Sequence, residues 1–154
     1  MSQENVATAR TLYPSRVDLV AAFADPELLE GLASLVHPDF EAVFEARNIP
    51  IGPAGVDRVN ATGQPTVQGF DALVAAWQEW LSAWEIWLIT PTEFVDVDEE
   101  RVLVLMEVQA RSKTHGVDMS LEGANLLTIR GGRLVRLEMF LDQNEALEAA
   151  GLSE

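Results

Sequence analysis

The feature that most constrains this fold is a change of hydrophobic period near residue 85. From 70 to 84 the apolar residues recur every three or four positions, which predicts an amphipathic helix. From 86 to 141 the period is two, and the alternating segments are separated by short turns at DEE, THG and GG. A helix followed by four alternating segments predicts an α+β fold with one curved, mostly antiparallel meander sheet.

Further helices are predicted on either side of this region. Residues 3–13 have the pattern of a short helix, and Ser15 is placed to cap a second helical segment that runs to about residue 23. Asp25 is expected to cap a third helix, whose leucines mark a buried face. The segment DQNEALEAAGL, with Asp142 as its cap, predicts a closing helix.

Between the third helix and the tryptophan-rich helix lie one strand and one long loop. The segment DFEAVFEA alternates, which predicts a strand with Phe40 and Phe44 on its inner face. Residues 46–65 are rich in glycine and proline and have no clear period. We expect a mobile loop there, and two readings stay open: plain flexibility, or the lid or rim of a binding site.

Composition narrows the classes of function. A chain of 154 residues predicts a single domain over 1–154, and a net charge of −15 argues against nucleic acid as a partner. With no cysteine, two histidines, no zinc-type spacing and no glycine-rich phosphate loop, we expect neither a metal nor a cofactor. No segment has the length of a membrane span or the apolar core of a signal peptide, so the expected location is cytoplasmic and no membrane partner is expected.

Three segments, in order, resemble a known family: LVHPDFEAVFE, GFDALVAAWQEWLSAW and LLTIRGGRLVRLEMFLDQNEALEAAGL. They are similar to SnoaL-like proteins of the nuclear-transport-factor-2-like, or cystatin-like, α+β cone fold. The resemblance implies N-terminal helices packed in the concave face of the sheet, an apolar pocket between them, and often a homodimer. Members of this fold include isomerases, cyclases, hydrolases, dehydratases and binding proteins, so the fold does not decide the function.

One polar residue stands out on the predicted inner face of the sheet. Alternation in VDMSLEGANLLTI places Asn125 in an otherwise apolar row. In the same way, the inner row of RVLVLMEVQAR includes Ala110, and that of the last strand includes Val135 and Met139. A buried amide needs hydrogen-bond partners. Asn125 is therefore either a structural amide bonded within the protein, or a donor to a ligand carbonyl or developing oxyanion.

Two functions remain open, with a third in which the cone is filled and acts only in dimerisation. The first, which we favour, is binding of a small, largely apolar, steroid- or polyketide-like molecule. The second is an isomerase, cyclase or hydratase that uses Glu45 or Asp57 as its base and Asn125 as oxyanion donor. The resemblance to steroid isomerases implies a catalytic aspartate where this chain has Phe44. The expected ligand-binding residues are Tyr13, Phe40, Phe44, Trp77, Trp84, Asn125 and Met139.

The predicted outer face of the sheet mixes charged and aliphatic residues. Leu103, Leu105, Leu126 and Phe140 alternate there with acidic and basic side chains. Aliphatic residues on an otherwise solvated face favour a homodimer formed through this face.

Overall fold

The computed structural model of the chain describes residues 2–44, 58–59, 65–114, 116–140 and 142–152. Five helices and eight strands lie within these ranges. In chain order they are α1 (Ser2–Leu12), β1 (Val17–Asp18), α2 (Leu19–Ala22), α3 (Pro26–Ala33), β2 (Val36–Phe44), β3 (Arg58–Val59), β4 (Pro65–Gln68), α4 (Phe70–Leu81), β5 (Trp84–Asp96), β6 (Arg101–Ser112), β7 (Asp118–Arg130), β8 (Arg133–Phe140) and α5 (Gln143–Ala149).

The eight strands form one sheet in the order β1-β5-β6-β7-β8-β2-β4-β3. Strands β5 to β8 pair antiparallel with their neighbours in sequence, as expected for a meander. The exception to antiparallel pairing is β2, which lies parallel to β8. The predicted α+β fold with a mostly antiparallel sheet is therefore confirmed, and the first strands of the chain extend both edges of the meander.

The second helical segment begins later than the sequence predicted. Ser15 does not cap it; residues 17–18 form β1, and the helix α2 follows with Asp18 as its N-cap. One carboxylate oxygen of Asp18 accepts hydrogen bonds from the backbone N–H of Val20 at 3.0 Å and of Trp87 at 3.1 Å. Asp18 is the stronger cap because its carboxylate satisfies a free amide of the helix and an amide of the sheet at once.

The tryptophan-rich helix ends earlier than the hydrophobic period indicated. Its last residue is Leu81, with Ser82 as C-cap, and Trp84 begins the strand β5. The prediction that Trp84 continues the helical arc is therefore wrong. Trp84 follows the last helical residue, Leu81, by three positions, so it keeps the spacing of the apolar helical residues although it is no longer in the helix.

The core lies between the helices and the inner face of the sheet. The inner row of β6 predicted from alternation is buried there, including Val104 and Met106, and the inner row of β7 contributes Leu127. In β8 the prediction is wrong at one position, because a register irregularity between β7 and β8 places Leu134, and not Val135, in the core. A bulge of this kind changes the face of every residue before it.

Helix α5 covers part of the outer face. Leu103, Leu126 and Phe140 pack with Ala146 and Ala150 in a second, smaller core cluster. Some of the aliphatic residues that favoured a dimer are thus buried by the chain itself. The homodimer stays a prediction, and its support now rests on the rest of that face.

Candidate functional site

A cavity of about 270 Å³ lies between the helices and the inner face of the sheet. Side chains from α1 to α4 border it on one side, and inner-row residues of β5 to β8 border it on the other. Apart from the tryptophans, the described polar side chains at this cavity are those of Thr11, Tyr13 and Asn125. An apolar, concave space with a few convergent polar groups is the usual form of a small-molecule site.

Tryptophan rings form one wall of the cavity. Trp77 and Trp80 from α4 and Trp87 from β5 border it. The Trp87 ring lies in edge contact with the other three tryptophans, at centroid distances of 6.0 Å to Trp77, 5.6 Å to Trp80 and 5.0 Å to Trp84. Phe23 stacks on Trp77 at 6.0 Å. All four tryptophans of the chain therefore form one cluster, which edge-to-face contacts hold together.

Tyr13 and Asn125 form the polar end of the cavity. Nδ2 of Asn125 donates a hydrogen bond to the Tyr13 hydroxyl at 2.6 Å, across 112 positions of sequence. Asn125 reaches the cavity because it lies in the inner row of β7, as alternation predicted. Tyr13 reaches it because the main chain continues one residue beyond α1 with a helical hydrogen bond from its N–H to the Ala9 carbonyl at 2.9 Å.

Burial changes the acidity of this tyrosine. Desolvation raises the pKa of Tyr13 to about 12, and the hydrogen bond from Asn125 acts in the opposite direction with a smaller effect. The residue as a whole keeps some exposure, but its hydroxyl lies at the desolvated end. A phenol in such surroundings stays neutral at physiological pH and can donate its proton in a hydrogen bond.

No ionisable side chain other than Tyr13 borders the cavity among the residues that the structure describes. The two carboxylates predicted as candidate bases, Glu45 and Asp57, lie outside the described residues. His37 accepts a hydrogen bond at Nδ1 from the Asp39 N–H at 3.0 Å, within β2 itself, and does not border the cavity. Within the described ranges no group of His, Asp and Glu side chains could hold a metal ion.

The predicted ligand-binding residues divide into three groups. Tyr13, Trp77, Asn125 and Met139 border the cavity. Phe40 is fully buried in the core, and Trp84 belongs to the tryptophan cluster; neither borders the cavity. The side chain of Phe44 lies outside the described residues. Their roles in binding stay predictions.

Two sets of cavity residues were missed as ligand-binding residues. Trp87 of β5 pairs with Ala110 of β6, and alternation predicts that Ala110 faces inward. Paired residues of neighbouring strands point to the same face, so this pairing would have identified Trp87 as a cavity residue. Leu28, Leu29 and Leu32 of α3 were predicted to form a buried face. They border the cavity instead, and α3 buries none of its residues.

None of the described helices is both long enough and apolar enough to span a membrane.

Comparisons with known proteins agree on the fold. Residues 17–137 match the SnoaL-like domain family. An NTF2-like protein of unknown function from Burkholderia pseudomallei has a TM-score of 0.64 at 22% identity, over 94% of this chain and 95% of that one. A protein assigned as a SnoaL-like polyketide cyclase from a Jannaschia species has a TM-score of 0.66 at 14% identity, over 99% and 94%.

TerC, co-crystallised with polyporic acid, has a TM-score of 0.57 at 22% identity, over 86% of this chain and 95% of that one. No curated protein matches the chain significantly. At these identities the likeness to solved structures shows the fold and leaves the activity open.

Proposed function

The chain belongs to the SnoaL-like domain family, and we propose that it binds a small, uncharged, largely apolar molecule with one hydrogen-bonding end. The observation that carries this proposal is the cavity, where a hydrogen-bonded polar couple, Tyr13 and Asn125, faces walls of mostly aliphatic and aromatic side chains. Apolar walls favour an apolar body because burying it removes its surface from water.

The hydrogen bonds already made define what the polar end of a ligand would meet. Asn125 uses one N–H on the Tyr13 oxygen. The Tyr13 proton, the second N–H of Asn125 and its carbonyl oxygen are then left for a ligand. A carbonyl or hydroxyl group fits this set, since it accepts from the tyrosine or the amide. A charged group does not fit, because no opposite charge among the described lining residues offsets its desolvation.

The comparisons support an organic ligand in general terms. One protein of this fold was crystallised with polyporic acid, and another is assigned as a polyketide cyclase. These descriptions concern those proteins. For this chain they favour a cyclic organic molecule as the kind of ligand to screen first.

The test uses a pair of probes that differ in one carbonyl group: acetylnaphthalene and ethylnaphthalene. Both should quench the tryptophan fluorescence, because three of the four tryptophans border the cavity. The ketone should bind about tenfold more tightly, the effect of one net hydrogen bond. In Asn125→Leu and Tyr13→Phe this preference should shrink.

Matched controls come from the surface of the same strand. Glu122→Gln changes an exposed residue three positions before Asn125, and it should leave both affinities unchanged. Failure of both probes to bind at any concentration up to their solubility would refute the function. Equal affinity for the two probes would refute the role of the polar couple and leave an apolar site.

A second candidate is an enzyme that forms an enolate from a ketone, and one observation favours it. Two donors, the Tyr13 hydroxyl and the Asn125 amide, lie side by side in an apolar cavity, where they would stabilise a developing oxyanion. The base would be Glu45 or Asp57. The test follows hydrogen–deuterium exchange at the methyl group of acetylnaphthalene by NMR: catalysed exchange that is lost in Tyr13→Phe supports the enzyme, and exchange at the buffer rate refutes it.

A further inference from the structure

We propose that helix α3, Pro26–Ala33, is a movable lid that closes over a ligand in the cavity; this inference rests on the proposed binding function. The three leucines on one face of α3 are at positions 28, 29 and 32, a spacing that directs them to the same side. All three border the cavity. They come from a helix that has no buried residue.

Helix α3 is stabilised by hydrogen bonds within its own segment. The Asp25 carboxylate accepts from the N–H groups of Glu27 and Leu28 at 3.1 and 3.4 Å, with Pro26 in the first turn. At the other end, the Ser34 hydroxyl donates to the Gly31 carbonyl at 2.6 Å. Caps at both ends stabilise a helix that is otherwise too short to be stable alone. The segment can therefore move as one rigid piece.

Few contacts hold α3 to the rest of the described structure. Among the described residues, 25–34 make hydrogen bonds only with one another, with the turn that precedes them and with the N–H of Leu35, the next residue in sequence. They form no ion pair within the described ranges. Within the part of the chain that the structure describes, the main chain of α3 does not pack closely against any other helix or strand. Its leucines are absent from both buried clusters and from the residues packed against them.

The residues on either side of α3 are anchored to the rest of the protein. On the N-terminal side, Phe23 stacks on Trp77, and its carbonyl accepts from Nε2 of Gln78 at 2.9 Å. On the C-terminal side, the Leu35 carbonyl accepts from the Leu134 N–H at 2.7 Å. Fixed ends around a loosely held, internally rigid helix are the features of a hinged lid.

The leucines also give the lid a reason to close. Leu28 is 41% exposed, and Leu29 and Leu32 are half-buried. An apolar ligand in the cavity would cover part of this surface. Both the ligand and the leucines of α3 would then bury apolar area that is exposed to water when the ligand is absent.

Hydrogen exchange measured by mass spectrometry tests the lid directly. In the free protein, amides of α3 should exchange at least about a hundredfold faster than those of α4, which buries Leu73, Ala76 and Leu81. Saturating acetylnaphthalene should slow exchange in α3 by about tenfold or more. Exchange in α3 as slow as in α4 in the free protein overturns the lid, and so does unchanged exchange in α3 when fluorescence shows the probe bound.

Binding kinetics test whether the leucines of α3 help to retain a bound ligand. Leu29→Ser should raise the dissociation rate of acetylnaphthalene about tenfold, because the ligand loses an apolar contact, and should leave the melting temperature almost unchanged. The matched control is Glu30→Ser on the same helix, where the residue is exposed and the change in helix propensity is similar. Equal dissociation rates in the two variants overturn the lid.

Failure of the lid and failure of the binding function give different results. If the lid alone fails, acetylnaphthalene binds but α3 exchange and the Leu29→Ser dissociation rate do not change. If acetylnaphthalene does not bind at all, the binding function fails, and a mobile α3 then has no ligand to cover, so the lid is overturned with it.

Discussion

Tyr13 should ionise at a higher pH in the folded protein than in the unfolded chain. In water a tyrosine has a pKa of about 10. Burial of the hydroxyl raises the pKa of Tyr13 to about 12, against a smaller lowering effect of the Asn125 hydrogen bond. At pH 10, about half of the tyrosines in the unfolded chain would be ionised, compared with about one per cent in the folded protein.

This difference makes stability depend on pH in a definite direction. Between pH 10 and 12 the folded protein holds the proton and the unfolded chain has released it, so the free energy of unfolding falls as the pH rises. The contribution is fully present below pH 10. It amounts to about 3 kcal/mol over the whole interval, and it is lost once the pH passes the pKa of about 12 in the folded protein.

The assay is unusually direct because Tyr13 is the sole tyrosine of the chain. Near-ultraviolet absorbance of tyrosinate therefore reports on this residue, and Tyr13→Phe gives the baseline. Urea melts at pH 8, 10 and 11 give the change in stability. Wild type should lose stability relative to Tyr13→Phe as the pH passes 10.

A midpoint near pH 10 in the folded protein would refute the desolvated position of the Tyr13 hydroxyl. Asn125→Leu sharpens the test. It removes the hydrogen bond that lowers the pKa of Tyr13, so ionisation should move to still higher pH. A move to lower pH would show that water has entered the site in place of the amide.

Two further changes test the packing. Asp18→Ala removes a carboxylate that accepts from the N–H groups of Val20 and Trp87, and it should cost about 1–2 kcal/mol in urea melts; a loss near zero contradicts this double role. Leu126→Ala, beneath α5, should cost about 2–5 kcal/mol, whereas Leu28→Ala, at a leucine of α3 that is 41% exposed, should cost less than about 1 kcal/mol. Equal losses would contradict the loose packing of α3.

The sheet and the inner position of Asn125 were predictable because they follow from local geometry. Successive side chains of a strand point to opposite faces, so alternation alone assigns a polar residue in an apolar row to the inner face. The partner of Asn125 was not predictable in the same way. Tyr13 is 112 positions away, and only the packing of α1 over β7 brings the two together.

Two predictions failed because the regular spacing of apolar residues does not show where an element ends or where a strand contains a bulge. Trp84 keeps the helical spacing, but the chain has already left the helix at Ser82 to pair with β6. At Val135, a bulge against β7 shifts the alternation, and no residue type at that point marks it. Periodicity therefore predicts the type of an element better than its ends or its local irregularities.

The placement of β1 and β2 has a consequence for the order of folding. The partner of β1 is β5, and β2 lies between β8 and β4. During synthesis, the first 44 residues leave the ribosome before either meander strand exists, and the parallel partner of β2 is completed only at residue 140. Pairing across such a distance is slow compared with formation of the hairpins from β5 to β8. We therefore expect the meander to assemble first and the N-terminal third of the chain, including α3 and Tyr13, to join a preformed sheet last.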